Sequence, residues 1–440
     1  MPISSNGSVP MILVVEDSVL TAQVMCEGIE KVLGWHTVVA GSFEEAKILL
    51  EKSAHRFFAA VVDLTLPDIV GQEHVDYITE AGVPTIILTA SYDQKLRDSI
   101  ILKPKIVDYF IKTAGVIETC TNLLARLWRN KTISVLIVDD SLTQRKYIAK
   151  LLRRRLFKIE FASDAEEALS ILEQDTDRLI RLALVDYHMP KMNGDELVVR
   201  IRNTQSKEEL AIIGMSMQEG GLLSVHFLKS GASDFIRTPF TAEELFCRVD
   251  QSLDINETLV AVRHAANRDP LTQLYNRRYF SEVAGTFHSD ALCTNISMGI
   301  ALFDIDHFKK INDTYGHAAG DAALCHLAQL LMHHLRETDV VARWGGEEFC
   351  VMLANLSPDA AFRTIERLRQ AIENTSFVYD GQELLLTVST GLTMNLGDSL
   401  ETMVSAADDL MYQAKQSGRN KIIMAESQEF ACPTPSSHSD

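Results

Sequence analysis

Cysteine is sparse and unpaired. The seven residues, Cys26, Cys120, Cys247, Cys293, Cys325, Cys350 and Cys432, are scattered, odd in number and contain no C-x-x-C pair. That spacing argues against a disulfide framework and a structural zinc site, and reduced thiols of a cytoplasmic protein are expected. Long hydrophobic runs are also missing. No apolar stretch approaches the ~18–20 residues that cross a bilayer, so no membrane insertion is expected. The opening MPISSNGSVP lacks a basic region followed by an apolar run and does not read as a secretory signal. Positive charge is in deficit: 42 Lys+Arg stand against 60 Asp+Glu, a net charge of −18. Such a surface repels a phosphate backbone, and no nucleic-acid partner is expected. The basic run LLRRRLFK (151–158) reads as a solvated helix end that contacts a neighbouring domain.

What is present is enough for several cores. The chain has 440 residues, 46% of them hydrophobic, and a length prior suggests about three domains. Two of them repeat. MILVVEDS (11–18) returns as VLIVDDS (135–141), and AAVVDLTLPD (59–68) as LALVDYHMPKMNG (182–194). TIILTAS (85–91) returns as AIIGMSM (211–217), and VDYFIKT (107–113) as SDFIRTPF (233–240). Short apolar runs, each ending in a polar or acidic residue, alternate with helical patterns such as SFEEAKILLEK. That alternation predicts a doubly wound parallel sheet, with the acids at the strand C-termini meeting in one crevice. In the first unit Glu16 and Asp17 follow strand one, Asp63 ends strand three, Thr89 strand four and Lys112 strand five. Three carboxylates in one pocket repel one another unless a hard cation such as Mg²⁺ joins them. A hydroxyl and an ammonium suit the oxygens of an incoming phosphoryl group. Tyr109, three residues before Lys112, is placed to rotate when Thr89 moves.

These residues resemble the receiver (flavodoxin-like) domain of two-component response regulators, over roughly 10–128 and again over 133–254. The resemblance implies phosphorylation of Asp63 by a sensor histidine kinase, with Glu16 and Asp17 holding the metal. Asp139, Asp140 and Asp186 match the acids in the second unit. There Thr238 replaces the lysine, with Arg237 beside it, Phe235 replaces the tyrosine and Ser216 takes the hydroxyl position. Threonine cannot supply the missing charge, so the second unit is expected to be an adaptor, with Asp186 as a secondary phosphorylation candidate. Residues 241–268 read as one helix continuing into a linker (255–268), with a partial apolar stripe of Leu245, Val249, Leu253, Leu259 and Val262.

The third unit starts at DPLTQLYNRRYF (269–280). SMGIALFDID predicts a strand ending in Asp304 and Asp306. HFKKINDTYGHAAGDAALCHLAQLL predicts a turn, a short helix, a glycine break at Gly316 and Gly320, and an amphipathic helix in which Asp321 could cap the N-terminus. VVARWGGEEFCVML reads strand, tight turn, strand, with Gly345–Gly346 at the tip and Glu347 and Glu348 at the exit. If the strands are neighbours, Asp304, the Ile305 carbonyl and Glu347 make an oxygen site for Mg²⁺ or Mn²⁺. Lys309 and the amides of His307 and Phe308 face phosphate, as do Lys415 and Arg419. Asn312 and Asp321 carry the groups that read a guanine edge.

Together RWGGEEF, DIDHFKKIND, GHAAGD, DPLTQLYNRR and YQAKQSGRNK resemble the GGDEF family of diguanylate cyclases, over roughly 269–425. Gln273 departs from the family's usual glycine. The fold class expected is therefore α/β multidomain: two parallel-sheet receivers followed by an α+β GGDEF domain, similar to the nucleotidyl cyclase and polymerase palm. The resemblance implies condensation of two GTP into cyclic di-GMP and two pyrophosphates by a homodimer. It implies metal at Asp304, Ile305 and Glu347, a second ion at Glu348, and Glu347 assisting deprotonation of the 3′-hydroxyl. It implies GTP contacts from Asn312, Asp321, Lys309, His307, Phe308, Gly346, Lys415 and Arg419. Arg336 and Asp339 lie five residues before the double glycine, where the family has its R-x-x-D product-inhibition site, with Arg367 as a further contact. The plain alternative there is an exposed i,i+3 salt bridge. The alternative for the whole unit is a catalytically silent cyclic di-GMP receptor. Residues 1–9 and the Ser/Pro-rich 426–440 are expected to be disordered.

Overall fold

The computed structural model describes residues 9–91, 103, 105–217, 221–294 and 296–425. The expectation of disorder at the two ends therefore lies, Val9 apart, outside the described residues. The chain divides into two compact units, 1–259 and 260–440.

The first unit holds two parallel sheets. β1 (Met11–Val15), β2 (His36–Ala40), β3 (Phe57–Asp63), β4 (Thr85–Thr89) and β5 (Ile106–Ile111) run in the order β2-β1-β3-β4-β5. β6 (Ser134–Val138), β7 (Lys158–Ala162), β8 (Ile180–Asp186), β9 (Ala211–Ser216) and β10 (Asp234–Arg237) run β10-β9-β8-β6-β7. Read from the other edge this is the same 2-1-3-4-5 winding, in which the chain reverses direction beside the first strand and leaves a crevice there. The central strands are buried on both faces, which is why their sequences are continuous apolar runs rather than alternating ones. Hydroxyl and carboxylate caps begin the helices: Ser18 accepts from the Thr21 amide, Ser141 from Gln144 and Asp164 from Glu167.

One reading of the first unit needs correction. The basic run at 151–158 contacts the neighbouring sheet assembly as expected, but it is solvated only in part: Arg153 and Lys158 are exposed, whereas Arg155 is buried. Arg155 is 4% exposed, and its guanidinium bonds Asp108 Oδ2 at 2.6 Å and Asp250 Oδ2 at 3.4 Å. It lies over the Phe246 ring, and its carbonyl accepts from Asn130. Arg126 likewise joins Glu257 at 2.6 Å and Asp254. The two sheet assemblies are thus tied by buried arginines. The helix Ala242–Asn267 is continuous as expected. Its stripe is not: Leu245, Val249 and Leu253 are buried, while Leu259 and Val262 are exposed.

The second unit has a six-stranded sheet built from β11 (Tyr275–Asn276), β12 (Met298–Ile305), β13 (Val340–Gly345), β14 (Glu348–Ala354), β17 (Val388–Thr393) and β18 (Ile422–Met424), ordered β11-β13-β14-β12-β17-β18. β15 (Phe377–Tyr379) and β16 (Gln382–Leu384) form a separate hairpin. The four inner strands are antiparallel and the edge pairs parallel. Phe303 and Phe349 face each other in register and are fully buried on one face. Leu302, Cys350 and Met352 pack on the other, under the helices Arg277–Thr294 and Leu400–Gln416. The glycine break after the short helix Phe308–Tyr315 is Gly316 alone; the next helix spans His317–His334 and contains Gly320 in its first turns. Asp321 is therefore not its N-cap.

Among the described residues no helix is long and apolar enough to cross a membrane.

Candidate active site

The sheet register of the second unit sets two of the predicted carboxylates, Asp304 and Glu348, side by side, but Asp304, Glu347 and Glu348 do not gather ligand oxygens within 4.8 Å of one another. Asp304, next to last in β12, pairs with Glu348, the first residue of β14, and the Ile305 amide reaches the Glu347 carbonyl at 3.4 Å. The hairpin between β13 and β14 turns at Gly346, whose φ of +48° is one that a side chain disfavours. Asp304 is 5% exposed. Burial pushes its carboxyl up to about 6, the nearby charges of Glu347 and Glu348 add to this, and the Lys415 ammonium opposes it. Lys415 Nζ stands 2.7 Å from Asp304 Oδ2. Glu348 is also raised, first by burial and then by Asp408. Crowded, partly desolvated carboxylates of this kind fit a hard divalent cation, whose charge would reverse the penalty.

The predicted guanine residues sit on the two helices after β12. Asn312 Oδ1 is buried with no hydrogen-bond partner among the described residues. It lies against Gly320: a Cβ there would stand 2.0 Å from it. Asp321, exposed, follows Gly320 on the same helix. An orphaned amide oxygen beside an exposed carboxylate fits a ligand with adjacent N–H donors. Lys309 and Arg419 are exposed. His307 has a left-handed backbone, φ +57°, and turns the chain from Asp306 into the helix carrying Lys309.

Two groups that hold the hairpin were not assigned a role from sequence. Arg343 donates to the Gly346 carbonyl at 3.0 and 2.8 Å, and to Asp269 at 3.1 Å. Asp269 also accepts from the Thr272 amide and hydroxyl, each at 2.8 Å. Burial alone would raise its carboxyl, but these bonds outweigh it and hold the group low. The D-x-x-T spacing was the available signal, since it lets an aspartate close a local turn.

Arg336 and Asp339 are not an ion pair. Asp339 accepts from the backbone amides of Arg336 (3.0 Å) and Ala354 (3.4 Å), which leaves the Arg336 guanidinium exposed and without a partner among the described residues. The expected alternative of a surface salt bridge is therefore replaced by a carboxylate-pinned turn. Arg367 reaches the His334 carbonyl, two residues before Arg336, at 3.5 Å.

In the first unit Glu16, Asp17 and Asp63 bring ligand oxygens within 4.8 Å of one another. Lys112 Nζ lies 2.7 Å from Glu16 Oε2 and 2.7 Å from Asp63 Oδ2. Burial raises Glu16 despite this contact, and burial would depress Lys112, yet its two carboxylate partners win and raise it. Thr89 Oγ1 and Tyr109 OH both donate to the Ser91 carbonyl, at 3.1 and 3.5 Å, so the ring is turned inward. In the matching crevice between β6 and β8, Thr238 stands in the place that Lys112 takes in the first. Asp186 is pushed up to about 6 by burial and then by Asp139. Thr238 Oγ1 is buried and has no partner among the described residues, and Arg145 instead bonds the Asp139 carbonyl. Asp140 is exposed. Among the described residues, the set at Asp63 is the one group of three such ligands that converges.

Residues 266–421 match the family described as diguanylate cyclase, GGDEF domain, and residues 135–250 match the response regulator receiver domain. The response regulator PleD of Caulobacter vibrioides is 31% identical over 307 residues, 66% of this chain and 65% of PleD. Diguanylate cyclase A of Treponema denticola is 43% identical over 132 residues, 30% of this chain and 36% of that protein. The chain thus spans less than two thirds of the length of these curated relatives. A crystal structure of a putative two-component system response regulator/GGDEF domain protein superposes with a TM-score of 0.52 at 38% identity, covering 56% of this chain and 99% of the other.

Proposed function

We propose that this chain, which matches the receiver domain over 135–250 and the GGDEF domain over 266–421, is a response-regulator diguanylate cyclase whose output is set by phosphorylation. Two GTP are condensed to cyclic di-GMP: each 3′-oxygen bonds the α-phosphorus of the other nucleotide, and each bond to pyrophosphate breaks. The observation that carries the reading is the register that sets Asp304 beside Glu348, with Glu347 at the hairpin exit and Lys415 on Asp304. Asp304, the Ile305 carbonyl and Glu347 would hold Mg²⁺ or Mn²⁺, with Glu348 for a second ion. The metal supplies charge neutralisation for the triphosphate. Asn312 and Asp321 select guanine. Lys309, the His307 and Phe308 amides, Lys415 and Arg419 hold phosphates, and Glu347 takes the 3′-hydroxyl proton. One such site binds one GTP, so two copies must face each other across a two-fold axis.

The N-terminal sheet is the controlling receiver in this reading. Its winding matches that of 135–250, and among the described residues it alone keeps the acid trio with a lysine. A sensor histidine kinase phosphorylates Asp63, Lys112 pairs with the new phosphoryl group, and Thr89 and Tyr109 change their shared contact to Ser91. The second receiver, short of a cation, serves as an adaptor. Product binds Arg336 and Asp339, with Arg367 nearby, and inhibits.

The test is turnover of GTP with Mg²⁺ by the purified chain, with and without a small-molecule phosphodonor, products resolved by chromatography. Cyclic di-GMP that rises with the phosphodonor, fails to rise in Asp63→Asn and is lost in Glu347→Ala is the expected result. Absence of product together with tight cyclic di-GMP binding that Arg336→Ala removes would make the chain a receptor instead.

A further inference from the structure

A buried carboxylate next to the site has no part in the reading above. Asp306, 6% exposed, accepts from Thr387 Oγ1 at 2.8 Å, Ser389 Oγ at 2.6 Å and the Asn420 backbone amide at 3.0 Å. The first two donors fix it to the edge of β17. The third reaches the turn that follows the helix Leu400–Gln416. That turn is strained: Gly418, Arg419 and Asn420 have φ of +112°, +60° and +46° in succession. Left-handed backbone is free for glycine but unfavourable for arginine, so the surrounding contacts must impose it. The Asn420 side chain adds two, accepting from Arg369 at 2.6 Å and donating to Glu373 at 2.8 Å. On its other side Asp306 leads directly into His307, the left-handed residue that turns the chain toward Lys309.

We propose that Asp306 is a positioning residue for the triphosphate: it clamps the Gly418–Asn420 turn and so holds Arg419 toward the phosphates of GTP. The proposal rests on the reading of Arg419 as a phosphate contact. A carboxylate is suited to this task because it accepts from three donors at once, whereas an asparagine would present its own N–H₂ to one of them. Without the clamp the turn relaxes toward negative φ and carries the guanidinium away.

The experiment measures binding of 3′-deoxy-GTP, which lacks the attacking hydroxyl, to the full chain by calorimetry in Mg²⁺, with GMP as the probe for guanine contacts. Asp306→Asn is expected to weaken 3′-deoxy-GTP about tenfold and GMP less than twofold. Arg419→Ala weakens 3′-deoxy-GTP similarly, and the double variant is no weaker than Arg419→Ala alone, because both changes remove one contact. If Asp306→Asn is unfolded by circular dichroism, Ser389→Ala takes its place, with a two- to threefold loss that vanishes in the Arg419→Ala background. Unchanged 3′-deoxy-GTP affinity in Asp306→Asn, or losses that multiply in the double variant, overturn the proposal. Wild-type affinity in Arg419→Ala overturns the underlying reading of Arg419 as well, and so separates the two failures.

Discussion

Gly320→Ala should make the protein more stable and a worse enzyme. Gly320 lies inside the helix His317–His334, where alanine is favoured over glycine by about 0.8–1.0 kcal/mol. Yet its Cβ would stand 2.0 Å from Asn312 Oδ1, 3.0 Å from Asn312 Cγ and 3.1 Å from Phe308 Cζ. Non-bonded contacts lie near 3.5 Å, so the Asn312 amide must withdraw by roughly 1.5 Å, more than a hydrogen bond tolerates. Because the tip of a side chain can yield, the helix survives while the guanine contact does not. A lost hydrogen bond that leaves its partner unsatisfied costs about 1–3 kcal/mol, or roughly 5- to 150-fold in kcat/KM. The assay is initial-rate cyclisation of GTP beside thermal unfolding, with ATP as a competitor to read base selectivity. Unchanged kcat/KM and selectivity in a folded Gly320→Ala chain would show that Asn312 does not read guanine from this position.

Other outcomes follow from the same geometry. Asp304 is raised to about 6 in the metal-free chain, so stability falls as pH rises from about 4 to about 6, the full loss persists above that, and there is none below about 4, where the group is protonated folded or unfolded. Asp304→Asn should therefore raise the melting temperature of metal-free protein at pH 7 but not at pH 3.5, and Mg²⁺ affinity of the wild type should fall as pH drops below 6. Arg155→Ala leaves Asp108 and Asp250 without their shared cation and should cost about 3–5 kcal/mol in urea unfolding followed by tryptophan fluorescence. Lys112→Met removes the ammonium shared by Glu16 and Asp63, and the response to a phosphodonor should disappear while unstimulated turnover persists. Arg336→Ala should raise the cyclic di-GMP concentration that halves the rate by more than tenfold, with the uninhibited rate unchanged.

Local sequence carried much of this. Apolar runs closed by acids announced the parallel sheets, because strands buried on both faces need unbroken hydrophobicity and their C-termini converge. RWGGEEF announced a hairpin, because a tight turn needs a residue tolerant of positive φ, and Gly346 has it. Two local patterns mislead: Asp321 looks like a helix cap, but the chain resumes helix at His317. Leu259 and Val262 continue an apolar stripe along a helix that has passed beyond the core burying Leu245, Val249 and Leu253.

By itself the sequence determined which groups are available, their order, and the elements carrying them, since periodicity and turn chemistry are properties of adjacent residues. Tertiary structure decided which distant groups meet. Asp306 bonds a turn more than a hundred residues away, and Arg343 reaches Asp269 across 74. Arg155 looks like one of three solvated arginines until folding places Asp108 and Asp250 around it. Gly320 looks like a break until Asn312 fills the space its missing side chain leaves. Burial and long-range pairing set these roles, and neither is a property of neighbours along the chain.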